Sequence, residues 1–108
     1  MLSIEIVKHL HNNPEIVNKE RYYYDYFDVI IVWFHGMFEI ELVGGWDEEY
    51  DVPEFMFHTD FKGGFDQAVK ATLDDIRKSK ENYRIKNYAE SALARACMEF
   101  HIKHCGLL

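Results

Sequence analysis

The chain has 108 residues, 48% of them hydrophobic, and a formal net charge of −7. That length predicts a single domain, 1–108, with one modest core. No apolar run reaches the roughly eighteen residues of a membrane-spanning helix. The opening MLSIEIVKHL carries Glu5 inside its apolar stretch and lacks a basic leader, so it does not read as a signal peptide.

In chain order, Ser3 is placed to cap a first helix running to about Asn12, with Ile6, Val7 and Leu10 as its apolar stripe. Asn13-Pro14 ends it, because the residue before proline is pushed out of the helical region. Glu15–Glu20 carries only a weak signal for a further turn or short helix. The run YYYDYFDVIIVWF, residues 22–34, is β-branched and aromatic, and His35-Gly36 follows it as a two-residue turn before MFEIELV. That turn sets Trp33 opposite Phe38, Ile31 opposite Ile40 and Val29 opposite Leu42. These residues, extended by Phe27, form one apolar face. The other face carries Tyr24, Tyr26, Asp28, Ile30, Val32 and Phe34, with Met37, Glu39, Glu41 and Val43 across from them.

Gly44-Gly45 closes the hairpin, and VPEFMFHT (52–59) reads as a third strand with Pro53 confined to its start or to an edge. From Phe65 the spacing turns helical: Phe65, Val69, Leu73 and Ile76 share a face with Ala68 and Thr72 alongside, and the helix ends near Lys80. A last helix has Ala89, Ala92, Leu93, Ala96 and Phe100 in one stripe and Gly106 as its stop. Asn87 and Glu90 stand at capping-box spacing, with a start within 80–88 as the alternative. The fold class expected is therefore α+β: an N-terminal helix, a small antiparallel sheet of about three strands, and two C-terminal helices packed on one of its faces.

Charge is distributed unevenly. From Tyr22 to Phe61 there is no Lys or Arg, and the stretch holds ten carboxylates: Asp25, Asp28, Glu39, Glu41, Asp47, Glu48, Glu49, Asp51, Glu54 and Asp60. The rest of the chain sums to +3, and 13 of the 17 aromatics lie in the acidic part. Such a region repels nucleic acid phosphates and attracts a basic protein surface. A solubilising coat for an aromatic-rich sheet is the competing reading.

Cys97, His101 and His104 fall within about 60° on a helical wheel. Three zinc ligands from one helix, without a second ligand pair, make poor spacing for a structural site, so no metal is expected. Cys97 and Cys105 would lie about 12 Å apart on one helix, too far for a disulfide. Free thiols, and a reducing cytoplasmic location, follow. No local motif assembles a triad, a paired-carboxylate site or a phosphate loop, so the expectation is neither an enzyme nor a cofactor protein. The alternative is a small-ligand binder or enzyme using Tyr24, Tyr26, Asp28 and Glu41 on the polar sheet face.

The candidate partner-binding residues are thus Asp28, Glu39 and Glu41 on the sheet, with Trp46, Asp47, Glu48, Glu49, Tyr50, Asp51 and Glu54 after it. Carboxylates spaced up to about 7 Å apart on a rigid surface approach the charge spacing of a nucleic acid, which presents a phosphate about every 3.4 Å per strand. Arg and Lys side chains that normally meet phosphates would suit such an array.

The segment GWDEEYDVPEF resembles the acidic segment after the small sheet of certain anti-CRISPR proteins, phage-encoded inhibitors of RNA-guided nucleases. In one such family a Gly-Trp pair, an acidic or amide run, a Tyr and a later Glu-Phe recur in this order; here they are Gly45, Trp46, Asp47 to Glu49, Tyr50, Glu54 and Phe55. The element order is similar too. The resemblance spans about a tenth of the chain, and Asp51-Val52-Pro53 departs from the more acidic family segment. It implies a protein that occupies the Arg-lined site where the nuclease reads a short duplex motif beside its target. A toxin immunity protein belongs to the same binding class. In each case the partner is a basic protein, with no direct contact to nucleic acid or membrane.

Overall fold

The computed structural model describes residues 18–44, 56–59 and 63–107. The proposed N-terminal helix, Ser3 to Asn12, lies outside the described residues. Four strands, β1 (Asn18–Tyr24), β2 (Phe27–Phe34), β3 (Met37–Gly44) and β4 (Met56–His58), form one sheet in sequential order, every neighbour antiparallel. Two helices follow, α1 (Phe65–Lys78) and α2 (Tyr83–Lys103), and a short 3-10 turn at Cys105–Leu107. The class is α+β, as the sequence indicates.

The β2–β3 register is the expected one: Trp33 faces Phe38, Ile31 faces Ile40 and Val29 faces Leu42. His35 (φ 49°) and Gly36 (φ 75°) are both left-handed, the type I′ turn that matches strand twist. The run 22–34 is not one strand, however. Asp25 (φ 51°) and Tyr26 (φ 70°) form a second turn of the same kind, and the chain before it doubles back as β1. The weak helical signal at Glu15–Glu20 is overridden from Asn18 onward, where the chain is strand. In β1 every second residue, Glu20, Tyr22 and Tyr24, turns inward and is half-buried, while Lys19, Arg21 and Tyr23 are exposed.

The core lies between the sheet and the two helices. Phe27, Val29, Ile31, Phe38, Ile40, Leu42 and Phe57 come from the sheet. Phe65, Ala68 and Ile76 come from α1, and Ala89, Ala92, Leu93, Ala96, Cys97 and Phe100 from α2. The alanines let α2 approach closely. Phe100 fills the centre: it stacks on Phe65 (ring centroids 5.2 Å) and meets Trp33 (5.2 Å) and Phe38 (6.1 Å) edge-on. Contact of Phe65, which opens α1, with Phe100, near the end of α2, makes the helices antiparallel. Thr72, buried in α1, satisfies its hydroxyl by donating to the Ala68 carbonyl (2.8 Å).

Helix α2 starts earlier than the Asn87/Glu90 spacing suggests. Asn82 is the N-cap, its Oδ1 accepting from the Ile85 N–H at 3.0 Å. The extra turn is retained because Ile85 and Tyr88 pack against the core. Asn82→Ala is expected to destabilise the protein by about 1 kcal/mol, a fall in Tm of about 4–8 °C. Asn87→Ala should leave the melting curve nearly unchanged, and equal losses would mean that the cap is wrongly placed.

Candidate partner-binding surface

The sheet face away from α1 and α2 is laid out by the register. Tyr23, Asp28 and Val43 form one cross-strand row; Arg21, Ile30 and Glu41 form the next; Lys19, Val32 and Glu39 form the third. Cations from β1 and carboxylates from β3 therefore flank an apolar strip on β2, where Ile30 and Val32 are buried (5% and 1% exposed). With strands about 4.8 Å apart, Arg21 and Glu41 sit about 10 Å from each other at the backbone. This face is polarised across its width rather than uniformly acidic.

Glu39 is the clear departure from expectation. It is 1% exposed, so it is no surface carboxylate and offers nothing to a partner. Strand alternation assigned it to the polar face correctly, but burial depends on what covers a face, which alternation does not encode. Among the described residues no buried side-chain nitrogen or oxygen lacks a hydrogen-bond partner, so this carboxylate is accommodated. Asp28 and Glu41 stay half-buried on the same face. Trp46, Asp47, Glu48, Glu49, Tyr50, Asp51 and Glu54 lie outside the described residues.

The ligand site envisaged from Tyr24, Tyr26, Asp28 and Glu41 is not assembled. The turn at Asp25-Tyr26 puts Tyr24 on the helix side, where its hydroxyl donates to Glu99, and Tyr26 stands edge-on to Tyr88 of α2 at 5.3 Å. Asp28 and Glu41 remain on the opposite face.

The same turn creates a polar seam between β1 and α2 that sequence reasoning missed. Ser91 Oγ donates to Asp25 Oδ2 at 2.7 Å, and Arg95 lies 3.7 Å from the same oxygen. At the far end Glu20 receives Lys103 Nζ (2.8 Å), His104 Nε2 (2.7 Å) and the Tyr22 hydroxyl. Burial alone would raise the Glu20 carboxyl, but the hydrogen bonds from Lys103, Tyr22 and His104, with the His104 charge, outweigh it and hold it at about 2. Burial first, then the bond to Glu20 and its charge, push the Tyr22 hydroxyl well above the ordinary tyrosine range. The signal available was the alternation of Asn18, Glu20, Tyr22 and Tyr24, which needs a strand before Asp25 to have meaning. This seam joins elements; its carboxylates are occupied by partners within the chain.

A carboxyl held below its unfolded value stabilises the fold above the unfolded value and loses that contribution as pH falls through the folded one. Glu20 should therefore supply about 1–2 kcal/mol at neutral pH, discounted for partial solvent screening, and lose it between about pH 4.5 and 2. Glu20→Gln should flatten the urea-monitored stability profile in that window and leave the shape above pH 5 unchanged. An unaltered acid limb would show that other carboxylates govern it.

Cys97, His101 and His104 are not brought together. Cys97 is buried, and burial pushes its thiol up to about 12, so it is protonated at neutral pH. His101 is exposed, and His104 lies past the helix end, against Trp33 and Phe100 and bonded to Glu20. Both cysteines are free, and among the described residues no three His, Cys, Asp or Glu side chains are grouped to hold a metal ion. No described helix is long and apolar enough to cross a membrane.

The fold and surface together define a small α+β protein, a four-stranded meander with a helix hairpin on one face. No family model, curated protein or solved structure matches the chain.

Proposed function

We propose that this chain is a non-enzymatic, acidic binding protein that covers a basic, nucleic-acid-binding surface of a partner protein in the cytoplasm of the cell that makes it. The observation that carries the reading is the stretch from Tyr22 to Phe61, which has ten carboxylates and no Lys or Arg. Among the described residues, Asp25 is tied to Ser91 and Arg95 and Glu39 is buried, so neither is offered to a partner. The contact surface therefore narrows to Asp28 and Glu41 with the run Asp47, Glu48, Glu49, Asp51 and Glu54, and Trp46 and Tyr50 are its aromatic anchors. An anti-CRISPR-type inhibitor of an RNA-guided nuclease is the member of this class favoured by GWDEEYDVPEF; a toxin immunity protein is the other.

The test is retention of proteins from host lysate on the immobilised chain at low and high salt. A basic, nucleic-acid-binding protein held at low salt, released at high salt and displaced by its own nucleic acid is the expected result. Retention of a neutral or acidic protein with no salt dependence would overturn the reading.

A further inference from the structure

The two sides of the sheet are finished differently. On the β3 side, β4 pairs with Glu41 to Val43, the Thr59 N–H donates to the Ile40 carbonyl (3.0 Å), and the Phe38 N–H donates to the Gly63 carbonyl (3.1 Å). These bonds take up much of the outward backbone of β3. On the other side β1 ends the sheet, and among the described residues no backbone group pairs with its outer edge. The two-residue turn makes Tyr24 and Phe27 a hydrogen-bonded pair. The backbone groups of Tyr22 and Glu20 then also point to β2, and those of Tyr23, Arg21 and Lys19 point away from the sheet.

The three residues with outward backbone groups also carry exposed side chains on the face away from the helices, Tyr23 at 61% exposure. Cations at a strand edge are a common guard against self-pairing. They act so here in part: one of the three antiparallel registers that pair most of this edge with a second copy sets Arg21 against Tyr23, but in the other two Arg21 meets Arg21 or Lys19 meets Arg21. Directly opposed like charges, about 5 Å apart at Cβ, disfavour both. An exposed tyrosine in the same row is no guard, however, and two cations that reject a like edge attract an acidic one.

We propose that the outer edge of β1 accepts an extended acidic segment of a partner protein as a fifth strand. The Lys19, Arg21 and Tyr23 backbones would supply the hydrogen bonds, Lys19 and Arg21 would select alternating Asp or Glu, and Tyr23 would cover the neighbouring side chain. The site is opposite in charge to the acidic surface above and does not depend on it. The β1–α2 seam supports it by holding β1 from beneath through Glu20, Tyr24 and Asp25, contacts that do not use the outer edge.

The test uses the full isotope-labelled chain and two blocked eight-residue peptides, one alternating Glu with Val and one alternating Lys with Val. The Glu peptide is expected to slow exchange of the Lys19, Arg21 and Tyr23 amide protons, and the Lys peptide to leave them unchanged. Lys19→Glu with Arg21→Glu should weaken the Glu peptide by about tenfold or more and transfer the preference to the Lys peptide. Lys19→Thr with Arg21→Thr, which keeps strand propensity, should lose the preference and form dimers as concentration rises. Circular dichroism confirms that each variant is folded. The proposal is overturned by protection that is absent or equal with the two peptides, or by Glu-peptide shifts located elsewhere. It is also overturned if single-stranded oligothymidine shifts the Lys19, Arg21 and Tyr23 side chains without slowing their amides, which would make the row a nucleic acid contact.

Discussion

Phe100→Ala is expected to destabilise the protein by about 3–5 kcal/mol, the range for removing a fully buried phenylalanine. The ring is 0% exposed and contacts β2 through Trp33, β3 through Phe38, α1 through Phe65, and the chain beyond α2 through His104. Three other elements therefore meet at this ring, and its removal leaves a cavity among Trp33, Phe38 and Phe65. A domain of this size has about 5–15 kcal/mol of stability in total, so the variant should unfold at much lower urea or fail to accumulate folded. Met98→Ala, two residues away on the same helix but 66% exposed, should change stability by less than about 0.5 kcal/mol. Urea denaturation of both variants checks the pair. Similar midpoints would mean that Phe100 is not the centre of the core.

The second large effect concerns binding. Replacing Asp47, Glu48 and Glu49 together by Lys should weaken the partner complex by on the order of several kcal/mol, through lost attraction and new repulsion. The substitutions have to be combined, because a single exposed ion pair contributes about 0–1 kcal/mol. The loss should appear mainly as a slower on-rate and should shrink as salt rises. Lys70 and Lys78 of α1, both exposed, are the controls, and their reversal to Glu should change binding little. Arg77 is unsuited to that purpose because it is paired with Glu90 at 2.9 Å. Surface plasmon resonance on the partner recovered from lysate, with circular dichroism to verify folding, is the measurement. A triple variant that binds as tightly as the parent, with no salt dependence, would reduce the acidic stretch to a solubility device.

Much of the fold was open to reading from local pattern. Alternation across Phe38–Leu42, with the His35-Gly36 turn setting which residues of the all-apolar run Val29–Trp33 lie opposite, determines a hairpin register by itself, because a one-residue slip would turn Phe38, Ile40 and Leu42 out of the core. The apolar stripes of α1 and α2 were equally legible, since buried positions recur with the helical period. So was the absence of Lys and Arg from Tyr22 to Phe61, a property of the chain that folding cannot change.

The turn at Asp25-Tyr26 was decided by tertiary structure. Neither residue favours a left-handed conformation as glycine does, and Tyr26 does so at a steric cost. Contacts from α2 offset that cost: Ser91 and Arg95 hold Asp25, and Tyr88 packs on Tyr26. Those residues lie more than sixty positions downstream, so no local window around Asp25 contains the cause. From this turn follow β1 itself, Lys19 and Arg21 on the face expected to be acidic, the removal of Tyr24 and Tyr26 to the helix side, and the Glu20 cluster with Lys103 and His104. The burial of Glu39 has the same character. Pattern tells which way a side chain points, because the pleat is local; whether water reaches it depends on elements brought there by the rest of the chain.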